Sequence, residues 1–176
     1  MGVHFDLWNP LKNSLMNTKL ILFPVVLASL LAVHPVFAQS KAATAKLATE
    51  FQQQSVALAT TLSALSKRVA TASPNDKEML KLVNNQLGLV DATADGVLAL
   101  GFVAAEVRDG GDQTIAKKYL GARCTALKTL AETTASYIGS LANNIAAPAS
   151  ATEVNKAKDQ VTQIGQSALC GSVGRK

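Results

Sequence analysis

Apolar residues along this chain recur at alternating spacings of four and three, the period of a helix face packed against its neighbours. Leu58, Leu62, Leu65 and Val69 follow it, with Phe51 one heptad before Leu58. Leu80, Val83, Leu87, Val90, Ala94, Val97, Gly101 and Ala104 form a second seam. A third runs through Leu120, Cys124, Leu127, Ala131, Thr134, Ile138, Leu141 and Ile145. A shorter fourth holds Val154, Ala157, Val161 and Ile164.

Punctuation between the seams sets the expected helix ends. The first helix is predicted from about Lys41 to Ala72. Ser73 caps the second, Pro74 suits its first position, and Asp76 and Glu78 favour its positive N-terminus. That helix extends to about Asp109. Gly110-Gly111 breaks the chain, and Asp112 is the expected cap of the third helix. Pro148 marks the next turn. Ser150-Ala151-Thr152-Glu153 has the capping-box pattern of a fourth helix ending near Gly171. Short connections between long helices force antiparallel neighbours. The expected fold is all-α, an up-down-up-down antiparallel bundle of four helices, the last one shorter.

Composition agrees with that reading. The chain has 176 residues, 48% hydrophobic and only 5% aromatic, with abundant Ala, Leu, Lys and Gln. Those residues favour helices, whereas strands draw on β-branched and aromatic side chains.

The N-terminal segment reads as a targeting signal rather than as part of the fold. Leu20 to Val33 is apolar except for Pro24 and Ser29, and Lys19 precedes it. The run is shorter than the ~20 residues of a comfortable membrane span. Val36-Phe37-Ala38 presents small residues at the positions a signal peptidase reads, so cleavage is expected after Ala38. The expected division is a signal peptide at 1–38, with Met16 reading as the initiator, and a helical domain at 39–176. Cleavage removes the only Trp, Trp8, and both histidines, His4 and His34. It also removes two of 17 basic residues (Lys12, Lys19) and one of 12 acidic residues (Asp6), leaving a net charge of +4. That charge is mild and dispersed. It does not form the clustered patch of a nucleic-acid binder, and no stable membrane span is expected after cleavage.

Two cysteines remain, and an exported protein meets an oxidising compartment. Cys124 and Cys170 stand equally far from a turn centred near Ala147, so an antiparallel hairpin places them level. A disulfide between them is expected. On an ideal helical wheel, however, Cys170 falls about 150° from the Val154–Ile164 stripe. The Gly165–Gly171 region must unwind to bring it inward.

The absence of His excludes Ser-His-Asp and Cys-His chemistry, His-ligated zinc or copper and His-ligated haem in the cleaved chain. No catalytic residue, metal site or cofactor is expected. Asp91 and Asp95, four apart, share a helix face, but such a pair is usually a solvated flank. Glu106, Asp109 and Asp112 read as a charged helix end. Lys117, Lys118, Tyr119, Arg123 and Lys128 form a candidate patch for an acidic partner, with Tyr and Arg as favoured anchors. Gly96 to Val107 is apolar nearly all round, so Gly96, Gly101 and Phe102 are candidates for a close helix contact or an apolar pocket. The expected function is therefore that of a periplasmic or secreted protein that binds a protein partner, as inhibitors, immunity proteins and chaperones do. The alternative is a carrier of an apolar small molecule in the bundle core. An enzyme working with carboxylates alone is the least expected.

Overall fold

The structure, a computed structural model, describes residues 34–107 and 110–173, with side chains from residue 41 onward. The described residues from 37 onward form one compact unit, a helical bundle. Its helices are α1 (His34–Thr71), α2 (Pro74–Glu106), α3 (Gly110–Ala142), α4 (Pro148–Gly165) and the short α5 (Ala168–Val173). The signal segment expected at 1–38 lies outside the described residues up to 33. Residues 34–38 continue α1, so cleavage after Ala38 would leave Gln39 at its start.

The α2 and α4 seams are buried at every position that their periodicity marks, as are Phe51, Leu58 and Leu65 of α1. In α3 the seam is buried except at Leu141, which is half-buried. The α3 helix packs along both α2 and α4. Side-chain bonds tie α1 to the same two neighbours: Asn84 Nδ2 donates to Ser66 Oγ at 3.2 Å, and Gln160 Nε2 donates to the Ala57 carbonyl at 3.3 Å. Arg68 grips Glu153 through Nε at 2.6 Å and a second guanidinium nitrogen at 2.7 Å. The order around the bundle is therefore α1-α2-α3-α4, with antiparallel neighbours throughout.

Besides the start of α1, at His34 rather than about Lys41, three boundaries differ from expectation. The α3 helix starts at Gly110, two residues before Asp112, which lies in its first turn instead of capping it. The α4 helix starts at Pro148, and its cap, Ala147, supplies no side-chain acceptor. The capping box expected at Ser150–Glu153 does not form. Ser150 is buried inside the helix, and Glu153 is engaged with Arg68. The acceptor comes from another helix. Asp76, 2% exposed, takes the backbone N–H of Ala146 at 2.8 Å and of Ala147 at 3.0 Å. The N-termini of α2 and α4 meet at this end of the bundle, where their dipoles favour a carboxylate.

The third difference lies at the opposite end. Helix α4 stops at Gly165 rather than continuing to Gly171, and after Gln166-Ser167 the chain enters α5. This break turns Cys170 inward, and it bonds to Cys124. It also sends Leu169 into the core, 1% exposed. Gly165, the last residue of α4, lets that helix lie close against α3, because a Cβ there would lie 2.7 Å from the Ala131 Cβ.

Candidate functional site

Gly101 stands where the α2 seam passes under α5. A Cβ at Gly101 would lie 3.0 Å from Leu169 Cδ2 and 3.5 Å from the Ala48 Cβ. Leu169 thus fills the space beside Gly101. The three residues considered together in the sequence do not meet at one pocket. A Cβ at Gly96 would have nothing within 4 Å, and Phe102 is 37% exposed. The segment from Gly96 to Val107 is not buried on several sides: one face packs inward while Phe102 and Val103 reach solvent. The α2 helix is long and apolar enough to cross a membrane, with a mean hydropathy of 1.6 in its most apolar stretch. In the bundle it supplies a full core seam.

The candidate basic patch divides over the surface of α3. Successive helical residues turn by about 100°, so Arg123 and Lys128, five apart, lie about 140° from each other. Lys128 belongs to the α4 side. It lines an open cleft of about 420 Å³ with Cys124, Cys170 and Gly165, and its amine lies 4.0 Å from Glu132. Lys117 is half-buried on that same flank by the wheel. Lys118 is exposed and points outward. Tyr119, 62% exposed, and Arg123 lie on the flank toward α2.

The carboxylate candidates do not converge on a centre. Asp91 is half-buried, and its carboxyl is held above the usual range, first by desolvation and then by the charge of Asp95. Glu106 and Asp112 are exposed, and Asp109 lies outside the described residues. Among the described residues, no three His, Cys, Asp or Glu side chains cluster closely enough to hold a metal ion.

What the arrangement does concentrate is exposed apolar surface. Of eight large hydrophobic side chains in solvent among the described residues, seven lie on α2 and α3, and Val56 on α1 is the exception. Leu82, Leu89 and Val103 of α2 and Tyr119 and Tyr137 of α3 are on the flanks where these helices adjoin. Residues equally far from the α2–α3 connection lie level, so Tyr137 stands near Leu82 and Tyr119 near Gly96. The stripe of α2 was open to sequence reading, since Leu82, Leu89, Gly96 and Val103 are spaced by seven. The stronger core seam beside it masked that signal. Asp76 offered no comparable signal, because its partners are 70 and 71 residues away. Compared with family models, with curated proteins and with solved structures, the chain matches none.

Proposed function

We propose that this is an exported helical protein that acts by holding a protein partner against its α2–α3 face. The supporting observation is that five exposed side chains, Leu82, Leu89, Val103, Tyr119 and Tyr137, lie on the adjoining flanks of that helix pair. Exposed apolar surface gathered on one side of a domain marks interaction sites. Tyr119 and Arg123 supply an aromatic and a cationic anchor on the α3 half. A partner that presents apolar side chains beside acidic ones fits them. Export is supported by the apolar run before Ala38 and by the disulfide, which persists in oxidising compartments.

The experiment is affinity capture from the protein's own cell envelope, comparing the wild type with a Tyr119→Ala/Arg123→Glu/Tyr137→Ala variant. One stoichiometric partner should be retained by the wild type and lost by the variant, with the thermal midpoint unchanged. Equal capture by both overturns the assignment of this face. Intact mass of the exported protein should begin at Gln39, and a mature chain retaining residues 20–38 would refute cleavage after Ala38.

A further inference from the structure

The α2 helix carries two seams. The first faces the bundle core. The second, from Leu82 to Val107, places eight positions alternately four and three residues apart, with Leu82, Leu89, Gly96 and Val103 at every seventh. No residue of this second seam is fully buried in the bundle, and Leu89 is 55% exposed. Sustained four-three spacing is the pattern of a helix that packs lengthwise on another helix. Leu82, Leu89 and Val103 of this seam are exposed while Leu100 and Val107 are half-buried against the bundle core, so the chain's own helices cover the seam only in part.

The arrangement within this seam says what covers it. Reversed end to end, the seam matches itself about a point between Thr93 and Gly96. Leu82 then comes level with Val107 of a second helix, Gln86 with Val103, Leu89 with Leu100, and Thr93 with Gly96. The large residues lie toward the ends and the small ones at the centre, where two crossing backbones come closest. Gly96 has no heavy atom within 4 Å of its Cβ position, and Ala92 and Ala99 on its flank are exposed. The charges fit the same reversal. Lys81 and Asn85 flank one end of the seam and Glu106 the other, and both Lys81 and Glu106 are exposed. Antiparallel pairing brings Glu106 of the other helix level with Val83, within one helical turn of Asn85 and of Lys81, which also pairs with Glu78 of its own helix at 2.7 Å, twice by symmetry. Parallel pairing sets like charges against each other.

We propose that a second copy of this chain covers the seam, the two α2 helices packing antiparallel about a two-fold axis between Thr93 and Gly96. This rests on reading the α2–α3 face as a protein-docking face, and it assigns the α2 half of that face. The interface is isologous, so every contact occurs twice and the assembly closes as a dimer. Tyr119 of α3, level with Gly96, borders the centre of this interface, and Arg123 lies beside it on the same flank.

Sedimentation equilibrium of the purified protein, over a wide concentration range, tests the proposal. The wild type should be dimeric. Leu89→Glu should be monomeric with an unchanged thermal midpoint, since that side chain contributes little to the bundle core. Lys81→Glu and Glu106→Lys should each weaken the dimer about tenfold at low salt, because each places two like-charge pairs across the seam. The double variant Lys81→Glu/Glu106→Lys should recover most of that loss, which only the antiparallel register predicts. A wild type that stays monomeric throughout overturns the proposal, as does a dimer indifferent to Leu89→Glu or a double variant no better than the single ones. The docking reading fails separately, by retention of the captured partner when Tyr119, Arg123 and Tyr137 are replaced.

Discussion

The Asp76 carboxylate and the backbone N–H of Ala147, 71 positions apart in sequence, are joined at 3.0 Å, and Ala146 donates to the same carboxylate at 2.8 Å. One buried side chain at the start of α2 thus fixes the entry to α4. Asp76→Ala would remove the acceptor of two N–H groups at a part-buried site. Hydrogen bonds to charged groups contribute about 1.5–3 kcal/mol each. The variant should lose about 3 kcal/mol or more in urea denaturation. Asp76→Asn, which keeps one carbonyl oxygen, should lose less.

Two helical glycines should respond to alanine with opposite signs. A Cβ at Gly165 meets the Ala131 Cβ at 2.7 Å, and neither group can swing away. Gly165→Ala should destabilise by about 1–3 kcal/mol, the usual cost of overpacking. At Gly88 a Cβ meets nothing within 4 Å. Gly88→Ala should stabilise by up to about 1 kcal/mol through helix propensity. The urea midpoints of both variants check the two signs.

Thr134 lies in the α3 seam, 1% exposed, and its Oγ1 has no hydrogen-bond partner among the described residues. Val has the same shape without the hydroxyl. An unsatisfied buried polar group costs about 1–3 kcal/mol. Thr134→Val should therefore raise the stability by about 1 kcal/mol in thermal or urea unfolding.

Two carboxylates should shape the acid response in opposite ways. The hydrogen bond from Arg68, with the charges of Arg68 and Lys156, holds the Glu153 carboxyl below its usual range. Its folded-state value is lower than its unfolded one. Its contribution is present above the unfolded value and disappears as the pH falls through the folded one. Asp91 is shifted upward, so ionising it weakens the fold as the pH rises through its raised value. Glu153→Gln should lower the urea midpoint at neutral pH and change it little in strong acid. Asp91→Asn should raise the midpoint at neutral pH, with the gain shrinking in acid.

The bridge between Cys124 and Cys170 closes a sequence separation of 46 residues and anchors α5. Cys124→Ala/Cys170→Ala should lower the stability by about 4 kcal/mol, the chain-entropy value for such a loop. Hydrogen exchange should localise the first opening to Ala168–Val173. Gly101 and Ala48 should follow as Leu169 leaves them. Uniform protection along the whole bundle after loss of the bridge would contradict this order.

What the amino-acid sequence determined by itself was whatever depends on periodicity. Burial of Leu80, Leu87, Leu120 and Val161 follows from their spacing, because a helix returns to the same face about every 3.6 residues. The level of Cys124 with Cys170 follows from counting away from one turn. Tertiary structure alone decided the contacts made across the bundle. Asp76 caps the entry to α4, Arg68 takes the Glu153 that the local pattern assigned to a cap, and Leu169 fills the space over Gly101. Each pairs residues 68 or more positions apart, and helix propensity and capping rules act over only a few. The α2 stripe falls between the two cases. Its heptad spacing was legible, but which of two parallel seams turns inward depends on where α1 and α3 stand around α2, and only their packing fixes that.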